Sequence, residues 1–133
     1  MQIFYEPVNL NQWDMFKEVS GVGYIEPFLA TSQMKLDDCV LLYVGTQRRD
    51  YEPGVYAVGK IVKEPYIVRN HPEYYCNNKL SMDVEILKIS NLPLMTKDEF
   101  KKYNNFYRRV HKLNSDYYSE LAKQLDLHSI MNK

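Results

Sequence analysis

A chain of 133 residues, 45% hydrophobic and 26% charged, has room for one core and is too short for two comfortable domains. Lys+Arg and Asp+Glu number 17 each, so the formal net charge is zero. That balance argues against a protein that coats duplex nucleic acid non-specifically, and it leaves room for a local basic patch.

Two cysteines are too few for a disulfide scaffold, which points to a reducing cytoplasm. The start, Met1-Gln2-Ile3-Phe4-Tyr5-Glu6-Pro7, lacks the cationic head and long apolar run of a signal peptide. No stretch approaches the length needed to span a bilayer, so no membrane partner is expected.

In chain order, residues 2–5 are β-prone and stop before Pro7, which predicts a first strand. Asn9 or Asn11 can cap a short helix carrying Leu10, Trp13 and Phe16. Gly21 and Gly23 end it and permit backbone conformations that other residues resist. A helical turn is expected over residues 28–34, after Pro27. The run Cys39–Val44 is apolar throughout, as in a strand covered on both faces. Residues 45–54 form a long turn with Arg48, Arg49, Asp50 and Pro53, and residues 55–63 a partner strand. Gly59 in that strand marks either a bulge or a close approach of another segment.

The Tyr-, Asn- and Pro-rich residues 65–79 read as a long loop, a candidate rim for a site. Residues 80–88 alternate, with Leu80, Met82, Val84 and Ile86 on one face. Thr96-Lys97-Asp98-Glu99 has capping-box spacing and predicts a helix to about Tyr103. One more strand is expected over residues 106–111. Ser115 is placed to cap a last helix with Tyr118, Leu121, Ala122 and Leu125 on its apolar stripe, and residues after Leu127 are expected to fray. The sum is a single α+β domain spanning residues 1–133, with its core in about residues 2–127. It is expected to hold a strongly curved mixed sheet or open β-barrel with peripheral short helices.

Several segments together carry a family resemblance. Gly21-Val22 is followed by Met34-Lys35-Leu36-Asp37-Asp38, then by the apolar strand containing Val40 and Tyr43. Pro53-Gly54-Val55 leads to Val58-Gly59-Lys60-Ile61-Val62, and Met82-Asp83-Val84-Glu85 comes later. In that order, over about residues 3–125, the chain resembles the EVE family of the PUA-like superfamily, relatives of the YTH and ASCH domains. The resemblance implies a PUA-like fold and a module that holds a base, modified or not, of DNA or RNA in an aromatic pocket. A flat base gains stacking on both faces there, and backbone groups satisfy its polar edge. An extra methyl buried in such a pocket adds about 0.8 kcal/mol.

YTH readers place a cage Trp after the equivalent of Gly21-Val22, where this chain has Gly23. The base-binding candidates are therefore Trp13, Gly21, Val22, Gly23, Tyr24, Tyr43 and Tyr56. Each has a plainer reading: Trp13 and Tyr43 as core, Tyr24 as a loop aromatic, and the glycines as turn chemistry. Twelve tyrosines suit half-buried sheet positions as well as recognition surfaces. Phosphate contacts are assigned to Arg48 and Arg49 at a loop tip and to Arg108, Arg109 and Lys112 in the densest cationic run; these also suit solvated edges.

The sequence shows no catalytic residue, metal ligand set or cofactor motif. His71 and Cys76 lack a metal-ligand framework, and there is no phosphate loop or nucleophile elbow. The Gly-x-Lys-x-x-Glu signature of hydrolytic ASCH domains is missing. Burial would blunt Cys39 as a nucleophile. A small nucleoside or amide hydrolase and a protein-interaction or antitoxin-like scaffold stand as alternatives to the base-binding module.

Overall fold

The structure is a computed structural model that describes residues 1–74, 76–104 and 108–132. Seven strands form one mixed sheet: β1 (Ile3–Val8), β2 (Ile25–Leu29), β3 (Cys39–Val44), β4 (Gly54–Ile67), β5 (Leu80–Ile89), β6 (Met95–Thr96) and β7 (His111–Lys112). Their spatial order is β2-β5-β4-β3-β1-β7, with β6 paired to β4 beside this path. Strands β2 and β7 end the path, so the sheet stays open among the described residues. The short helices are α1 (Met15–Glu18), α2 (Lys97–Phe100), α3 (Tyr118–Gln124) and α4 (Leu127–Met131). This is the expected α+β, PUA-like architecture.

Alternation of side chains along the strands builds two cores, one on each face. On one face Ile3, Tyr5, Cys39, Leu41, Val58 and Leu87 meet Phe100, Leu121, Leu125 and Ile130 from the C-terminal half. On the other, Phe4, Val40, Leu42, Met82, Val84 and Ile86 meet Met15, Phe28 and Met34. Strand β3 feeds both, and all six of its residues are buried. Such a strand tolerates no polar side chain on either face, which is why it stands out as an unbroken apolar run.

Strands β1 and β3 pair in parallel, Ile3 against Cys39 through Val8 against Val44, while the other pairs are antiparallel. A parallel pair needs a long crossover. Residues 9–38 supply it, and along the way they build α1 and β2.

Gly59 satisfies both of its sequence readings. The β4–β5 register shifts at Val58/Gly59, and a Cβ on Gly59 would lie 2.3 Å from Val84 Cγ1 and 3.1 Å from the Glu85 carbonyl oxygen.

Several local expectations are corrected. Asp14, not Asn9 or Asn11, caps α1, accepting from the Phe16 and Lys17 amides at 3.1 and 3.4 Å. The Asn9 carbonyl instead closes a turn with the Gln12 and Trp13 amides, both at 3.0 Å. Phe28 lies in strand β2 rather than in a helical turn. Pro27 is tolerated in that strand because β2 is an edge strand. Residues beyond Leu127 continue as α4, since burial of Leu127 and Ile130 ties them down.

The loop expected from residue 65 is shorter, because β4 runs on to Ile67. Ser115 opens a 3-10 turn capped by Asn114, whose Oδ1 accepts from the Asp116 amide at 3.0 Å, and that turn leads into α3. Thr96 and Glu99 make the full capping box, each accepting from the other's backbone amide at 3.2 and 2.9 Å. Of the expected strand over residues 106–111, His111 pairs with β1, whereas Phe106 and Tyr107 lie outside the described residues.

Candidate nucleic-acid interface

A cavity of about 830 Å3 opens where β1 and β3 end side by side. Its size falls in the range of small-molecule and cofactor sites. The parallel register creates its first wall. Tyr5 and Tyr43 project from the same face of neighbouring strands, with ring centroids 5.5 Å apart. Phe100 of α2 stacks behind both, 6.1 Å from Tyr5 and 5.7 Å from Tyr43, and the His111 ring lies 5.1 Å from Tyr5. The capping box that starts α2 therefore also fixes the support of this wall.

The second wall comes from the crossover. Trp13, placed by the turn at Asn9, meets Phe28 edge-on at 5.3 Å and 87°. Trp13 is half-buried and Phe28 fully buried, so the indole is the part of this pair that a ligand can reach. Asn9, Gln12, Thr46 and Gln47 give the cavity uncharged hydrogen-bonding edges. Lys79, Lys97 and Arg108 bring positive charge from three distant segments. Among the described residues no carboxylate lines the cavity, although the chain as a whole is neutral.

Burial, followed by the neighbouring Tyr43 and Glu6, pushes the Tyr5 phenol well above its ordinary pKa. Burial also raises that of Tyr43. Both rings are thus neutral at physiological pH and present hydroxyls without charge.

Of the residues singled out in the sequence, Trp13, Tyr43 and Arg108 line this cavity together. The glycine corner does not. Gly21 and Gly23 take φ values of 154° and 96°, which suit glycine, but they serve the sheet. The Gly23 amide donates to the Ile86 carbonyl at 2.8 Å, and the Ile86 amide donates to the Tyr24 carbonyl at 2.8 Å, stitching the corner to β5. Val22 points outward and is 67% exposed. The Tyr24 hydroxyl donates to Glu26 Oε1 at 2.5 Å.

Tyr56 is buried, donates to the Glu52 carbonyl at 2.6 Å, and packs edge-on against Phe16 and Tyr51. Arg48 is engaged by Asp14 at 2.8 Å and by Asp50, and its guanidinium lies over the Tyr51 ring. It ties the long turn to the cap of α1. Arg49, Arg109 and Lys112 are exposed and lie outside the cavity lining.

Tyr5, Phe28, Lys79 and Lys97 are cavity residues that no sequence pattern singles out as site residues. The signal that could find Tyr5 is an aromatic residue on the short β-prone run before Pro7. Lys79 and Lys97 carry no local signal, because only the tertiary fold brings them to the same opening.

Burial, then Asp38, pushes the Cys39 thiol up to about 12. Among the described residues there is no group of three or more His, Cys, Asp or Glu side chains placed to hold a metal. No helix among them is long and apolar enough to cross a membrane.

No family model matches the chain, and comparison with curated proteins gives no match. Solved structures do match, and they define the class of fold. A hypothetical protein from Leishmania major superposes with a TM-score of 0.67 at 16% identity, over 97% of each chain. Human THYN1, solved in complex with DNA containing 5-methylcytosine, gives 0.60 at 17% identity, over 96% of this chain and 97% of that one. A mutant of ZmASCH from Zymomonas mobilis gives 0.54 at 10% identity, over 92% and 98%. At these identities the likeness establishes the fold, and it is the PUA-like fold that the EVE resemblance implied.

Proposed function

We propose that the chain is a nucleic-acid-binding module that holds one base of a DNA or RNA strand in the cavity at the ends of β1 and β3. The observation that carries this reading is the cavity's composition among the described residues: aromatic side chains about one opening, with the half-buried Trp13 indole as the reachable ring, neutral amide edges, three cations and no lining carboxylate. A planar, uncharged ring on a phosphate-bearing strand is complementary to all of these at once. The human neighbour of this fold, solved with 5-methylcytosine-containing DNA, supports the same class of ligand.

In this reading Trp13 stacks on the base and the buried Tyr43 and Tyr5 floor the cavity beside it, while Gln12 and Gln47 meet its polar rim. Arg108, with Lys79 and Lys97, holds phosphates. Arg109 and Lys112 extend the charge beside Arg108 and steer approach. Tyr24, Tyr56, Arg48 and the Gly21-Val22-Gly23 corner belong to the framework.

Trp13 is the single tryptophan, so its intrinsic fluorescence reports occupancy directly. Titration with short oligonucleotides carrying cytosine or 5-methylcytosine is expected to change that fluorescence. Trp13→Ala, read by anisotropy of a labelled strand, is expected to weaken binding by about 1–3 kcal/mol, the worth of one stacked base, and Tyr43→Ala to weaken it by less. A modification preference is expected to be only a few-fold if it rests on one buried methyl, worth about 0.8 kcal/mol. Unchanged affinity in both variants would sink the assignment.

A further inference from the structure

We infer that Gly45 and Gln47 make the cavity sensitive to the hydrogen-bonding edge of a base: Gln47 reads that edge, and Gly45 sets where the Gln47 carboxamide lies. This rests on the base-binding reading above and deepens it, because it requires a ligand with donors and acceptors on its rim and not any flat ring. Both residues line the cavity on the segment that follows β3, the strand that carries Tyr43. Gly45, unlike Gly21 and Gly23, has no positive φ, so its backbone does not demand glycine. Its neighbour does. A Cβ on Gly45 would lie 3.0 Å from Gln47 Nε2, 3.2 Å from Oε1 and 3.4 Å from Cδ. The carboxamide therefore lies against Gly45, and a methyl there would push it aside.

A primary amide offers a donor and an acceptor side by side, which matches the donor and acceptor on the edge of a nucleobase. Among the described residues the Gln47 carboxamide makes no hydrogen bond, whereas Asn9, also in the lining, uses its Oδ1 to accept from the Asn11 amide at 2.9 Å. Gln47 is also linked to the stacking wall. The next residue, Arg48, bonds Asp14 at 2.8 Å, and Asp14 directly follows Trp13. That contact brings the segment of the carboxamide to the segment of the indole: the indole serves the face of a base, the carboxamide its edge.

The test separates edge from face. The probes are short single strands of abasic DNA units with one central base. That base is thymine, 5-methylcytosine or difluorotoluene, a mimic of thymine's shape without its strong hydrogen-bonding groups. Affinity is read by anisotropy for the unaltered protein and for each variant. The better bound of the two true bases is expected to exceed the mimic by roughly two- to tenfold, the worth of one net hydrogen bond.

Gln47→Ala and Gly45→Ala are each expected to abolish that preference by weakening the true base. The double variant is expected to lose no more than Gln47→Ala alone, because Gly45 acts through Gln47. Trp13→Ala is expected to weaken all three probes alike and to keep the preference. Gly45→Ala is expected to hold or slightly raise the urea midpoint, since alanine restricts the unfolded chain and meets only the end of a flexible side chain. None of these variants alters charge, so the salt slope, log affinity against log salt, is expected to stay the same in all of them.

A mimic that binds the unaltered protein as tightly as both true bases overturns edge reading and leaves stacking on the base intact. A preference that survives Gln47→Ala overturns the role of Gln47, and losses from Gly45→Ala and Gln47→Ala that add in the double variant overturn the role of Gly45. Binding of none of the three probes overturns the base-binding reading itself, and the edge reading with it. The comparison of bases with the mimic uses the unaltered chain, so its outcome does not depend on any variant folding.

Discussion

Two regions of this molecule are rich in tyrosine, and they do opposite things. At the ends of β1 and β3, Tyr5 and Tyr43 face a cavity whose charged lining, among the described residues, is all positive. Around β2 and β5, two tyrosines are paired with acid, Tyr24 just before β2 and Tyr66 on β4. Tyr24 donates to Glu26 and Tyr66 to Asp83, both at 2.5 Å. A phenol bonded to a carboxylate is committed to the fold, because a ligand must replace a charge-assisted bond to reach it. Tyr5 and Tyr43 are instead backed by the Phe100 ring, and the charged groups in the cavity lining beside them are cations. Tyrosine content alone therefore does not distinguish the two regions; the groups beside each ring do.

The largest effect expected lies behind the cavity. Phe100 is fully buried and supports both Tyr5 and Tyr43. Phe100→Ala is expected to cost about 3–5 kcal/mol in urea unfolding and to weaken oligonucleotide binding as the wall loosens. A loss of stability with unchanged affinity would break the link between the α2 support and the site.

The acid-paired region offers the reciprocal test. Burial raises the Glu26 pKa first of all, Glu18 and Asp83 raise it further, and the Tyr24 hydrogen bond holds it down. The sign follows from linkage. A carboxyl raised in the folded state contributes its stability below the unfolded value, and that contribution is lost as pH rises through the folded value. Removing the Tyr24 hydroxyl takes away the bond that favours the ionised form. Tyr24→Phe is thus expected to cost about 1.5–3 kcal/mol at pH 8 and less at pH 4, with oligonucleotide affinity unchanged. Glu26→Gln is expected to flatten this part of the pH dependence. Equal losses for Tyr24→Phe at both pH values, or a drop in affinity like that of Trp13→Ala, would erase the contrast between the regions.

The β4–β5 pairing supplies a packing test of intermediate size. Gly59→Ala would force a methyl to within 2.3 Å of Val84 Cγ1, inside a bulge already fixed by its neighbours. The expected cost is about 1–3 kcal/mol, read as a lower urea midpoint at an unchanged slope.

What the sequence discloses follows from how local each signal is. The β3 strand, the Gly59 bulge, the alternation of β5 and the Thr96–Glu99 box all rest on residues within a few positions of one another, and all are present. Phe28 reads as helical because Pro27 suggests a break; a place on the sheet's edge, which only tertiary structure decides, makes a strand possible. The tail beyond Leu127 reads as frayed because the burial of Ile130 depends on the opposite half of the chain.

The site is legible only in pieces. Trp13, Tyr43 and Arg108 stand out as chemistry-bearing types, but the opening they share is created by the parallel pairing of β1 with β3, whose register no local pattern encodes. The same pairing moves attention from the glycine corner to the strand ends, where Lys79 and Lys97 arrive from segments far apart in sequence.

The smallest effect is also the most discriminating, because it perturbs the cavity's support without touching its lining. Thr96 accepts from the Glu99 amide and starts α2, the helix that carries Phe100. Thr96→Ala removes the cap and is expected to cost about 1 kcal/mol of stability. Thr96→Ser keeps a hydroxyl acceptor there and is expected to cost less. If the cap matters to binding only through the position of Phe100, affinity should fall slightly in the alanine variant and recover in the serine one, while the salt slope stays the same in both. A changed slope would mean that α2 acts through the charge of Lys97 rather than through the packing of Phe100 against the tyrosine pair. The aromatic wall and the cationic rim would then be one element and not two.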